Sequence, residues 1–194
     1  MKERPIPFIG PMVRAILDGR QTQTRRVVKL PLKDPLTGGE VAGCEANSLL
    51  RQGNRLCPYG QPGDRLWVRE TFKLNATLDG IRTTYRADDS EAYLYPPESW
   101  DGIPDDNHWR QPIIMPRWAS RIILEITAVR VERLNDISDT DAIREGIPDY
   151  PDFTGDSPVD DYSALWDSIN GPGSWSANPW VWVIEFRVLE GGKA

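Results

Sequence analysis

Between Ser120 and Leu134 the chain alternates apolar and polar residues, with Ile122, Leu124, Ile126 and Ala128 falling on one side. A period of two marks a strand with one buried face, and this is the longest such run in the chain. The alternation then slips. Val129 and Val131 fall on the opposite phase, which predicts a bulge or bend of the kind that barrel strands need. Seventeen prolines and sixteen glycines, gathered between the periodic segments, cut the rest into short strands joined by long, stiff loops.

The other segments fill in around this strand. Ile6–Ile9 is a short apolar strand. Pro11–Leu17 carries apolar residues at helical spacing, with proline in its first turn and Gly19 beyond its end. Thr24–Val28 reads as a strand leaving that helix, and Pro62-Gly63-Asp64 as a turn into the strand Arg65–Phe72. Asp136–Ala142 opens a helix with several candidate caps, ending at Glu145-Gly146; a second helix covers Asp160–Ile169, and Trp180–Leu189 closes the chain as a strand. Two stretches lack periodicity, about 30–62 and about 74–116, and are expected to be insertions; the second holds one hairpin near Thr83–Arg86. The expected architecture is α+β, mainly β: one domain over 1–194, a small mixed barrel with flanking helices and long loop insertions.

Composition narrows the function classes. With 39% hydrophobic and 27% charged residues the chain has enough apolar matter for a core. There is no apolar run of 18 residues and no signal-like N-terminus, so no membrane partner is expected. Cys44 and Cys57 are too few for a disulfide scaffold, which points to a reducing, cytoplasmic setting. With no Cys-x-x-Cys and His108 as the single histidine, neither a metal site nor a His-dependent catalytic site is expected, and no cofactor motif is present. The net charge of −6 argues against a protein that coats nucleic acid. Its distribution is uneven, however. Met1–Leu30 has seven bases against Glu3 and Asp18, while Asn135–Ser168 has ten acids against Arg144. A basic first segment gives a local footprint for a polyanion.

The chemistry-bearing stretch is Gly19–Arg26. Arg20, Arg25 and Arg26 offer forked donors for a phosphate or a base edge, and the amide of Gln21 and hydroxyl of Thr24 can each donate and accept. In a strand, Thr24 and Arg26 face one way and Gln23 and Arg25 the other. The same residues also suit a plain exposed basic turn. Glu145, at a helix end in the acidic segment, is a candidate carboxylate. Glu70 and Glu125 alternate with apolar neighbours and are expected on outward, solvated faces. Of the eight tryptophans, Trp67, Trp180 and Trp182 fall in strand patterns and are expected in the core. Trp100, Trp109 and Trp175 fall in loops, where they can stack on bases or pin the loops to the sheet, with pinning favoured; Trp118 is open between these roles.

Four pieces in order resemble the ASCH family: Gly19, Thr24 and Arg26; Gly63-Asp64 before a hydrophobic strand; the strand and helix of Ser120–Gly146; and Trp182–Phe186. Cys57–Glu70 is similar to the longer ASCH-domain proteins of bacteriophages and prophages. The resemblance implies a PUA-like barrel and recognition of RNA, single-stranded nucleic acid or a modified nucleoside, in the cytoplasm or, for a phage protein, the host cytoplasm. One bacterial branch of the family hydrolyses the acyl amide of N4-acetylcytidine with a lysine, a threonine and a glutamate. Thr24 matches that threonine and Glu145 that glutamate, but Gln21 stands at the lysine position. Glutamine cannot take a proton at any useful pH, and losing a general base costs about 10²–10⁴ in rate. The resemblance therefore implies three functions in this order: a binding cleft using Arg20, Gln21, Thr24, Arg25 and Arg26; a hydrolase of acylated cytidine or RNA using Thr24 and Glu145; and a phage assembly or interaction protein, with a phage or host partner, that has lost its site.

Overall fold

The computed structural model describes residues 1–34, 36–53, 55–77, 80–98, 108–149 and 157–191. Its centre is a five-stranded mixed sheet of β1 (Glu3–Pro7), β2 (Gln23–Val27), β5 (Arg65–Arg69), β9 (Ile122–Arg133) and β10 (Trp180–Gly191), in the order β1-β5-β9-β10-β2. Strand β1 runs parallel to β5, and every other neighbour is antiparallel. The slip in the alternation of β9 is a bulge: Ala128 pairs with Glu185 and Ile126 with Phe186, which leaves Thr127 as the extra residue.

Helices cover both faces. Trp182, Ile184 and Phe186 of β10 pack with Ile6, Val13, Ile16, Leu66 and Ile126 on the face covered by α1 (Gly10–Leu17) and α2 (Gly43–Arg51). The alternate residues, Val181 and Val183, lie under α3 (Asp139–Arg144) and α4 (Pro158–Asn170) with Leu134, Ala142, Tyr162 and Trp166. Ser138 caps α3 by accepting from the Asp141 amide, and Ser157 caps α4 through the Asp160 amide.

The α+β class and the order of strands and helices are those expected. The barrel is not closed: β1 and β2 are the two edges, and among the described residues no ladder joins them. Pro5 and Pro7 lack N–H groups, and proline is confined to edge strands for that reason. Across the opening, Arg26 Nη2 of β2 donates to the Pro7 carbonyl at 2.6 Å while its guanidinium lies 5.0 Å from the Phe8 ring centre.

Both insertions contain regular structure. The first holds the short hairpin β3 (Leu32–Lys33) and β4 (Glu40–Val41), then α2, whose Asn47 donates to the Val131 carbonyl and accepts from the Val131 amide. Gly43 begins α2 because a Cβ there would lie 2.5 Å from the Trp180 ring. The second holds an antiparallel meander of β6 (Phe72–Thr77), β7 (Gly80–Tyr85) and β8 (Glu91–Leu94) over its own small core of Phe72, Leu74, Ile81, Tyr85 and Met115. The expected strand Arg65–Phe72 is thus two strands that break at Glu70-Thr71. Among the described residues no helix is long and apolar enough to cross a membrane.

Candidate functional site

Strand β2 hydrogen-bonds to β10 on one side only, so its other edge must be satisfied by something other than a strand. Two side chains do this. Gln21 Nε2 donates to the Gln23 carbonyl at 3.0 Å, and Glu145 Oε2 accepts from the Arg25 amide at 3.2 Å. The tip of α3 and the loop leaving α1 are held together by the same set of bonds. The Thr22 amide donates to the Arg144 carbonyl, Gln23 Nε2 to the Asp141 carbonyl, and Arg20 Nη1 to the Gly146 carbonyl.

The side chains of β2 divide as a strand requires. Arg25 faces α3 with its side chain fully buried; Nη1 meets Glu145 Oε1 at 2.9 Å, and Nη2 meets Glu132 and Asp141. Burial alone would depress this guanidinium, and the Glu145 and Glu132 carboxylates outweigh it. Glu145 is 1% exposed, and its burial pushes its pKa up to about 7 against the downward pull of Arg25. The folded state therefore keeps this proton to a higher pH than the unfolded chain does. The stability tied to it is present in full below the ordinary glutamate range and is lost as pH rises to about 7. Denaturation curves for wild type and Glu145→Gln should show a difference that shifts against wild type by about 3 kcal/mol across that window. A difference that does not change with pH contradicts this.

Thr24 and Arg26 face the other way, toward the opening between β1 and β2. A cleft of about 420 Å³ lies there, within the roughly 300–1,000 Å³ of small-ligand sites. Phe8, Ile9 and Met12 of the β1–α1 junction form one wall, and Tyr162, Leu165, Trp166 and Ile169 of α4 form another. Arg26 and Lys29 supply positive charge, and no carboxylate is among the described residues lining the cleft. Thr24 is 1% exposed, and its hydroxyl has no partner within the protein. Burial lowers the pKa of Arg26 and raises that of Tyr162 well above the ordinary tyrosine value.

The residues singled out in the sequence therefore part company. Thr24, Arg25 and Arg26 line the cleft. Gln21 does not, and its amide is spent on the strand edge. Arg20 pairs with Asp18 and borders a second hollow of about 370 Å³, together with Glu145 and Gly146.

No protein-family model matches the chain, and no curated protein does. Two solved structures are similar to it. An ASCH domain from Lactobacillus crispatus JV V101 has 14% identity and a TM-score of 0.44, covering 97% of this chain and 80% of its own. A protein of Enterococcus faecalis V583 bearing the family label DUF984 has 9% identity and a TM-score of 0.44, covering 100% of this chain and 84% of its own.

The aromatic wall of the cleft was missed in the sequence. Tyr162, Trp166 and Ile169 stand at positions i, i+4 and i+7 of α4, a spacing that ordinarily signals core. Glu70 corrects another expectation. It is 1% exposed, not solvated, because Arg121 grips both its oxygens at 2.9 Å and also binds Asp88. Glu125 keeps the expected outward position, paired with Arg187. Trp109 sits against Lys73 and Arg86 of the meander, and Trp175 packs on Tyr162, so both pin loops; Trp100 lies outside the described residues.

Proposed function

We propose that this protein binds nucleic acid by holding one unstacked nucleobase in the cleft between β1 and β2. The observation that carries the reading is the cleft's make-up. Aromatic walls surround a buried, unpartnered Thr24 hydroxyl, with Arg26 and Lys29 as the charges and no carboxylate among the described lining residues. Flat apolar walls suit a base, which gains about 1–3 kcal/mol by stacking on an aromatic face. The cations suit the phosphate that follows it. The similarity to ASCH domains read from the sequence supports the same class of ligand.

The engagement of Glu145 with Arg25, and of Gln21 with the Gln23 carbonyl, favours holding a base over hydrolysing it. A general base must reach the proton it abstracts, and this carboxylate is occupied inside the sheet edge. On this reading Thr24 and Arg26 touch the ligand, whereas Arg25, Gln21 and Glu145 keep β2 in place.

Titration of short single-stranded RNA at low salt tests the proposal. Arg26→Ala is expected to weaken binding about tenfold, and Lys29→Ala to weaken it for all sequences while reducing the slope of log K against log salt by about 1. Absence of binding to RNA and nucleosides at low salt refutes it.

A further inference from the structure

Three side-chain atoms of residues that face or wall the cleft are buried with no partner in the protein: Thr24 Oγ1, Arg26 Nε and Trp166 Nε1. Two of them can only donate a hydrogen bond, and the third, a hydroxyl, can donate. The two orphaned acceptors nearby, Gln21 Oε1 and Gln23 Oε1, belong to residues that do not line the cleft. A buried donor without an acceptor is costly, whereas an under-used carbonyl oxygen is tolerated more easily. The cleft is therefore short of acceptors, and its occupant must bring them.

Building on the proposed base-holding function, we infer that the cleft selects a base that presents two adjacent acceptors at its buried edge. Guanine offers O6 and N7, and cytosine offers O2 and N3. Adenine sets its N6 amino donor beside N7 and N1, and uracil sets its N3–H donor between its two carbonyls. Each would push an N–H against Trp166 Nε1–H or the Arg26 guanidinium. The discrimination is thus guanine and cytosine over adenine and uracil, read by donors on β2 and α4.

Calorimetric titration of the full chain with the four ribonucleosides at low salt tests this, with 7-deazaguanosine and 3-deazacytidine as arms for the two sources of an acceptor pair and inorganic phosphate as competitor. Guanosine or cytidine is expected to bind about tenfold tighter than adenosine and uridine. The deaza analogue that loses affinity identifies which acceptor pair is read. Trp166→Phe keeps an aromatic wall and removes one donor, and Thr24→Val keeps the shape and removes the hydroxyl. Each should shrink the preference more than it weakens adenosine binding. Equal affinity for all four nucleosides, or a preference untouched by both substitutions, overturns the inference while leaving a base-holding cleft intact. Displacement of every nucleoside by equimolar phosphate overturns it too, since the donors would then be serving an anion. Absence of binding by any nucleoside removes both readings.

Discussion

Arg25→Met is expected to cost about 3–5 kcal/mol of folding stability at about pH 9, where wild-type Glu145 is ionised, a large share of what a domain of this size has. The substitution keeps most of the stem and removes the charge. Glu132 and Asp141 keep Arg130 as a partner and are partly exposed, so neither is stranded. Glu145 is stranded: its side chain is fully buried, and among the described residues only the backbone amide of position 25 still donates to it. The loss should shrink as pH falls, because a carboxyl already pushed up to about 7 by burial takes a proton more readily once the guanidinium is gone. Arg25→Met combined with Glu145→Gln should recover most of the loss, since the amide oxygen can still accept from the Arg25 N–H without a charge to bury. Urea unfolding of the two variants checks this. A single substitution that costs under about 1 kcal/mol, or a double variant no better than the single, contradicts the account of Arg25 as the counter-ion of a buried carboxylate.

Much of the framework was legible in the sequence because local physics set it. The alternation along Ile122–Ala128 and its slip became β9 and its bulge at Thr127. Gly19 ended α1, and the serines and acids after Leu134 capped α3. Helix α2 was hidden because its cap has no side-chain acceptor, Ala42, and its first residue is Gly43, a choice made by the distant Trp180 ring. Its apolar trio Ala46, Leu49 and Leu50 was present but short. The break at Glu70 was invisible for a similar reason: alternation records which residues face inward, not that Arg121, fifty-one positions later, would hold a carboxylate there.

The candidate site was legible only in part. Period two correctly placed Thr24 and Arg26 on one side of β2 and Gln23 and Arg25 on the other. It did not reveal that β2 would be an edge. That fact turns Gln21 and Glu145 into caps for the free backbone groups of the strand, a task that uses the same donors and acceptors a ligand site would. Nor does residue type distinguish a tryptophan that fills a core from one that also lines a cleft with its N–H left unpartnered, as Trp166 does.

Gly146→Ala is expected to cost about 2–4 kcal/mol and to loosen the cleft. Gly146 follows α3 with φ of 96°, in the left-handed half of the map, where a side chain costs about 1–2 kcal/mol. A Cβ there would also lie 2.9 Å from the Ala15 Cβ and 3.2 Å from Gln21 Oε1. Ala15 cannot yield, because its Cβ is fixed to α1 and its carbonyl accepts from both the Arg20 and Gln21 amides. The contact would drive the tip of α3 away from the loop that sets β2, at the junction where Glu145 and Gln21 close the strand edge. Gly19→Ala provides the comparison. It has φ of 74° but nothing within 4 Å of its added carbon, so it should lose only the backbone share, about 1 kcal/mol, and leave RNA affinity unchanged. Unfolding free energies and RNA titrations of the two variants separate conformational strain from packing. If Gly146→Ala is no more damaging than Gly19→Ala on both measures, the junction does not carry the geometry of the cleft, and α3 could be moved without consequence for binding.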